Sequence, residues 1–237
     1  MHSPRFFVKH PLTTGEVLQL PSSVAHHMLH VLRMQAGHSA TLFNGLGGEF
    51  LVTIAHIKRS VVTVTIGEFE NISRESNLKT ILGIAVLKRH AMEAALTRAT
   101  ELGVSEIVPI MTSRCSVRIA RQEHWQEVIQ SSCEQCGRNQ LPQLSETSNL
   151  DDWLASPPPP LRLMANPLAT STIKEIDSNP SAVSILIGPE GGLTSAEVDT
   201  IEHAGFQSVS LGRRILRAET APAALLALVQ HRWGDLR

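Results

Sequence analysis

The first 70 or so residues alternate apolar and polar positions with a period of two, which is the mark of half-buried strands. Arg5 to Val8, Glu16 to Leu20, Ala40 to Phe43, Glu49 to Ile57 and Val61 to Ile66 fit that pattern. One helical stretch interrupts them. Pro21-Ser22-Ser23 opens it, with Ser22 or Ser23 as N-cap, and it is expected to run to about Met34. Several short strands and one helix predict a small β-barrel. The Gly45-x-Gly47-Gly48 cluster lies between two of these strands. It reads as a turn that needs positive φ, not as a dinucleotide loop.

After about Ser73 the period lengthens. Ile81 to Leu87 is an apolar strand, His90 to Leu102 has helical spacing, and Gly103 stands where a helix would end. Glu106 to Met111 is the next strand, and a long helix reaches Cys136 and stops at Gly137. Further strands are expected at Leu161 to Ala165, Val183 to Ile187 and Gln207 to Leu211, with helices at Thr194 to Ala204 and Ala221 to Trp233. Strand-helix alternation predicts an α/β fold with a parallel sheet covered on both faces. The expected division is a barrel over 1–73 and an α/β domain over 74–237. The proline run Pro157 to Pro160 reads as a stiff connector.

Composition narrows the class. Apolar residues make up 42% and charged residues 18% of 237, which is enough apolar material for a core and excludes global disorder. No apolar run has the length of a membrane span, and Met1 to His10 lacks the apolar core of a secretory signal, so a cytoplasmic protein is expected. Three cysteines, Cys115, Cys133 and Cys136, do not make a disulfide framework. Cys133 and Cys136, even joined by His26 and His30 at helical spacing, are expected to be buried thiols and not a metal site. The net charge of −1 gives no global pull on nucleic acid, although seven of the eleven histidines stand before residue 60.

Two loops carry candidate chemistry. Ile185-Leu186-Ile187-Gly188-Pro189-Glu190-Gly191-Gly192-Leu193-Thr194 is an apolar strand that runs into a glycine-rich turn. Thr194-Ser195-Ala196-Glu197 then forms a capping box. Ligands of open α/β sheets bind at the carboxyl ends of strands, and glycines there admit close approach of backbone to ligand. Ser210-Leu211-Gly212-Arg213-Arg214-Ile215-Leu216-Arg217-Ala218-Glu219-Thr220-Ala221 also follows a strand and precedes a helix, with Thr220 or Ala221 as N-cap and Pro222 in its first turn. Its arginines suit a phosphate or a carboxylate. No G-x-G-x-x-G follows Leu87, where Lys88-Arg89-His90 stands, so a dinucleotide-dependent enzyme is disfavoured.

Together these loops resemble the GPEGG and LGxRILRxETA segments of the RsmE family, which belongs to the knotted SPOUT methyltransferases. Thr100-Glu101-Leu102-Gly103-Val104, Ser113-Arg114-Cys115, Glu134-Gln135-Cys136-Gly137-Arg138, Pro4-Arg5-Phe6-Phe7 and His30-Val31-Leu32-Arg33 extend the resemblance over nearly the whole chain. Arg98 stands where a lysine is common, and Ala218 where a threonine is usual. The resemblance implies a PUA-like N-terminal barrel that docks RNA and a C-terminal domain with a trefoil knot. It implies a homodimer that methylates N3 of a uridine in 16S ribosomal RNA with S-adenosylmethionine. A methyltransferase for another RNA and a non-catalytic RNA-binding adaptor are the alternatives.

By position, the resemblance places the cofactor against three segments. The first is Leu163, Met164, Ala165 and Asn166. The second is Ile187, Gly188, Pro189, Glu190, Gly191 and Gly192. The third is Leu211, Gly212, Ile215, Leu216, Arg217, Ala218, Thr220 and Ala221. Uracil N3 carries a proton at neutral pH, so a base or a stabiliser of the uracil anion is required. Arginine stays charged, so Arg217 or Arg138 is expected to stabilise the anion and Glu190 or Glu219 to take the proton. Arg5, Arg33, Lys88, Arg114, Arg118 and Arg138 are the expected RNA contacts.

Overall fold

The computed structural model describes residues 3–117, 121–155 and 159–237. Arg118 and the first two prolines of the run, Pro157 and Pro158, lie outside the described residues. The chain divides into two compact units. The first holds the residues up to Glu75 together with Cys133–Leu141, and the second holds Ser76–Ser132 and Pro142–Arg237.

The first unit is a five-stranded sheet. Its strands are β1 (Arg5–Phe7), β2 (Val17–Gln19), β3 (Ser39–Phe43), β4 (Glu49–Lys58) and β5 (Val61–Glu70), in the order β1-β3-β4-β5-β2. Pairing is antiparallel except between β1 and β3. Register shifts in β4 between Phe50 and Val52 and between Ile54 and His56 mark bulges, which bend and twist such a ribbon. Val52, Ile54, Val62, Val64 and Ile66 face a core closed by Val24, Ala25 and Met28. Helix α1 (Ser22–His26) begins after Pro21, which serves as N-cap without a side-chain hydrogen bond, so neither serine caps it. The expected helix to Met34 also changes type, because His27–Val31 is a π-helical turn. Inserting one residue into a turn keeps Met28 and Met34 buried around the bend.

Residues 137–139 are fastened to this unit by buried charge. The Arg5 guanidinium meets Glu49 and the Gly137 carbonyl. Arg74 Nη1 donates to Glu49 at 3.1 Å and to Gly137 O at 2.9 Å. Burial raises the Glu49 carboxyl, but hydrogen bonds from Arg74, Arg5 and Asn139 outweigh it and hold the group below the usual carboxylate range. Arg138 is 5% exposed, and its Nε donates to Glu75 at 2.8 Å. Cys133 is buried, and burial pushes its thiol up to about 12, which keeps it protonated.

The second unit is a parallel sheet. Its strands are β6 (Lys79–Ala85), β7 (Glu106–Met111), β8 (Gln143–Leu144), β9 (Ser148–Asn149), β10 (Leu161–Ala165), β11 (Ala182–Ile187) and β12 (Gln207–Val209). They run β12-β10-β11-β6-β7-β8, and β9 also pairs with β7. The short β8 and β9 and helix α4 (Leu150–Leu154) escape the periodicity argument because each is below a readable length. Remaining helices are α2 (Arg89–Glu101), α3 (Gln122–Cys136), α5 (Ser195–His203) and α6 (Ala221–Trp233).

Register aligns Met164, Leu186, Gly83 and Val108 in one row across the sheet. With Ile110, Leu150, Ile201, Phe206 and Trp153 they form the core beneath α4 and α5. Gly83 leaves space for Trp153, since a Cβ there would meet the indole at 2.6 Å. Helix α6 packs on α2 and on β11. No helix among the described residues is long and apolar enough to cross a membrane.

Candidate active site

Parallel strands bring the segments after β10, β11 and β12 to one end of the sheet. There they surround a cavity of about 830 Å³, within the range of small-molecule sites.

The loop after β11 is held rigidly from three sides. Gly192 closes a tight turn, with its N–H on Pro189 O at 2.9 Å and φ at +69°. A side chain on Gly188 would press its Cβ against Leu193 at 3.0 Å. Glu190 is exposed, and its Oε1 accepts the Lys88 N–H at 2.9 Å, which ties the loop to the start of α2. Arg114 Nη1 donates to Gly191 O at 3.1 Å. The capping box forms in full: Thr194 N donates to Glu197 Oε2 at 2.7 Å, and Glu197 N to Thr194 Oγ1 at 3.2 Å. The second Glu197 oxygen accepts the Ser113 N–H at 2.7 Å. Burial raises this carboxyl, but the Ser113 and Thr194 amides hold it below the usual range.

The loop after β12 is tied by backbone contacts. Ser210 N donates to Ser171 O at 2.8 Å, and Arg98 Nη1 donates to Glu219 O at 3.1 Å. Gly212 adopts φ of +109°, which only glycine reaches without strain. Arg217 is 85% exposed, and its Nη1 lies 3.8 Å from Glu219 Oε1. Thr220 is the N-cap of α6 but makes no side-chain cap hydrogen bond. Asn166 is braced by its N–H on Val209 O at 3.0 Å and its side chain on Leu168 N and Ser208.

Met164, Ala165, Asn166, Ile187, Gly188, Pro189, Glu190, Gly192, Leu211, Gly212, Ile215, Leu216, Arg217, Ala218, Glu219 and Ala221 all line the cavity. Three sequence-expected cofactor residues do not. Leu163 points into the sheet core, Gly191 faces Arg114, and Thr220 serves α6. Arg138 belongs to the first unit, where Glu75 occupies its head.

The RNA candidates separate likewise. Arg5 and Arg138 are nearly buried, and each is paired with a carboxylate, Glu49 and Glu75 respectively. Arg114 holds the glycine loop, Lys88 lines the cavity, Arg33 is exposed, and Arg118 is outside the described residues. Sequence reasoning missed Ser195, Val198 and Asp199, which also line the cavity. Their i, i+3, i+4 spacing on one face of α5 was the available signal. It also missed Leu168, two residues past Asn166 and 91% exposed.

A parallel α/β sheet with a cavity walled by two glycine-containing loops defines a small-molecule-binding enzyme domain. A family model for the RNA methyltransferase domain matches residues 74–230, and one for the RNA methyltransferase PUA domain matches 20–67. The chain belongs to the RNA methyltransferase family. Ribosomal RNA small subunit methyltransferase E of Buchnera aphidicola is 31% identical over 240 residues, covering 98% of each chain. A methyltransferase structure from Legionella pneumophila with SAM bound matches at a TM-score of 0.96 and 36% identity, covering all of both chains. The ribosomal RNA small subunit methyltransferase E of Neisseria gonorrhoeae, bound to S-adenosyl methionine, matches at 0.93 and 34%, again over both full chains.

Proposed function

We propose that this protein methylates N3 of a uridine in small-subunit ribosomal RNA with S-adenosylmethionine as methyl donor. The observation that carries the reading is the cavity at the carboxyl end of the sheet, with both motif loops in its wall. Its lining fits such a donor. Ile187, Leu193, Leu211 and Leu216 offer apolar surface, while Asn166 and the loop backbones offer polar groups. The relatives with bound S-adenosylmethionine support the same reading. Bound there, the donor supplies an electrophilic methyl group on a sulfonium.

The protein's own work is alignment, proton removal and charge stabilisation. Fixed loops hold the reactants in register, an effect that contributes about 7–11 kcal/mol at best. One oxygen of Glu190 is committed to the Lys88 amide, so its part is to position the loop. Glu219 lines the cavity beside Arg217, and we assign it the N3 proton. The Arg217 guanidinium stabilises the negative charge left on the uracil oxygens.

The chain from β10 to α6 is read as the knotted arrangement of the class. Support comes from the strand order, in which β12 returns to pair with β10 on the side away from β11. Exposed Ile215 and Leu228 are the apolar groups offered to a second copy in a homodimer, acting in the cytoplasm.

Calorimetric titration with S-adenosylmethionine, with NADH as control, tests the site. Saturable binding weakened about tenfold or more in Gly188→Val is expected. A folded protein that binds NADH and ignores S-adenosylmethionine would refute the reading.

A further inference from the structure

The parallel sheet carries a second cavity, of about 640 Å³, at the end away from the motif loops. Register sets four residues of its floor in one row across the sheet: Arg162, Ser184, Ile81 and Glu106. Each stands two positions before a member of the core row Met164, Leu186, Gly83 and Val108, so it shares that face. Trp153 of α4 and Phe206 form an aromatic wall, with ring centroids 5.5 Å apart. The Arg162 guanidinium lies over the Phe206 ring at 5.8 Å, and its Nη1 donates to Ala204 O. Several polar groups of this cavity lack partners. Ser184 is 2% exposed, and its hydroxyl makes no hydrogen bond among the described residues. The buried Thr147 hydroxyl, also in the wall, has none either. Lys79 and Glu106 open β6 and β7. Both line the cavity, yet among the described residues neither is in an ion pair. Glu106 Oε1 accepts the Ser145 hydroxyl at 2.9 Å, which leaves its second oxygen free.

We propose that this cavity binds a free aromatic amino acid whose ring carries a hydrogen-bonding group, with L-tyrosine as the representative. Lys79 and Arg162 balance Glu106 and Glu146 in the lining, which favours a ligand without net charge. The two glutamates oppose a phosphate, so a nucleotide is disfavoured. A neutral nucleoside would leave Lys79 and Glu106 unanswered. A zwitterion answers both: its carboxylate accepts from Lys79, and its ammonium donates to the free Glu106 oxygen. The ring packs against Trp153, and its hydroxyl meets Ser184 on the floor. Filling the cavity in this way gives partners to buried groups that are costly to leave without them. The site lies apart from the methyl-donor cavity and does not depend on the methyltransferase reading.

Calorimetric titration of the full chain with L-tyrosine, first without and then with saturating S-adenosylmethionine, tests the proposal. Equal saturable binding is expected in both, since the cavities occupy opposite ends of the sheet. Lys79→Met is expected to weaken tyrosine roughly tenfold, and tyramine, which lacks the carboxylate, should lose about as much on the wild-type protein. Ser184→Ala is expected to weaken tyrosine roughly three- to tenfold and to leave L-phenylalanine unchanged. Removing a buried hydroxyl that has no partner does not cost the fold a hydrogen bond, so the urea midpoint of Ser184→Ala should equal or exceed that of wild type. Absence of saturable binding at millimolar tyrosine would overturn the proposal, as would wild-type affinity in both variants. So would displacement of tyrosine by S-adenosylmethionine, which would put it in the other cavity. Adenosine binding better than tyrosine to the S-adenosylmethionine-saturated protein would also overturn it, by making this a nucleoside site. A protein that fails to bind S-adenosylmethionine would instead count against the methyltransferase reading, and the tyrosine result would still decide this one.

Discussion

At the residue scale, the division of labour between two glutamates is the sharpest claim. Glu190 and Glu219 both line the cavity, but only Glu190 accepts a backbone amide from another element. Glu219→Gln is expected to lower kcat by about 10²–10⁴ and to remove the acidic limb of the pH–rate profile. Glu190→Gln should leave both the KM for the methyl donor and that limb nearly unchanged, since the amide oxygen still accepts the Lys88 N–H. Turnover measured against pH for both variants decides the assignment, and an unchanged profile in Glu219→Gln would end it. Glu93 gives a separate test through stability. Hydrogen bonds from His124 at 2.6 Å and Arg89 at 2.9 Å hold its carboxyl at about 2, below the ordinary 4.5. Its folded pKa is the lower one, so its contribution is complete above about pH 4.5 and is lost as pH falls towards 2. Glu93→Gln should flatten the acid limb of the stability curve in that window. An acid limb identical to wild type would contradict the role.

At the scale of elements, the capping box shows how local sequence builds the site. Thr194 and Glu197 start α5, and the same carboxylate secures Ser113, so one residue fixes both the helix and the strap that bears Arg114. Glu197→Ala is expected to cost about 1–2 kcal/mol in urea unfolding. A loss below a few tenths would show that the Ser113 contact does not matter. Much of this was legible in the sequence. The Thr194-Ser195-Ala196-Glu197 spacing, the glycine turn after Ile187 and the helix at Ala221–Trp233 follow from short-range rules that the structure keeps. The π turn at His27–Val31 was not legible, because apolar spacing over so few residues cannot separate periods of 3.6 and 4.4. Nor was the fate of Arg5 and Arg138. Their carboxylate partners stand 44 and 63 positions away in sequence, and side-chain charge alone cannot distinguish a buried fastener from a surface contact.

At the scale of the whole molecule, the first unit is built from two distant pieces of chain, with Cys133–Leu141 joining the residues before Ser76. The junction rests on Arg5, Arg74 and Glu49, with the Arg5 and Glu49 side chains nearly buried. Removing one partner of such a pair strands the other charge, so Arg5→Ala should cost about 3–5 kcal/mol. Chemical denaturation followed in the full chain checks this, and a cost under 1 kcal/mol would mean that packing holds residues 137–139 without the charges. Sequence periodicity placed the change of architecture near Ser73 but could not assign 133–141 to the first unit, since long-range contacts leave no local pattern.

The claim that binds these scales together is that the cavity serves methyl transfer to a uridine of small-subunit ribosomal RNA. The most direct measurement incubates the purified protein with radiolabelled S-adenosylmethionine and small ribosomal subunits, then digests the RNA to nucleosides for mass spectrometry. The account predicts label in a single methylated uridine carrying the group at N3, with incorporation abolished in Gly188→Val. Label on a ribose or on another base would contradict the assigned chemistry, and no label from a protein that binds the donor would contradict the assigned substrate.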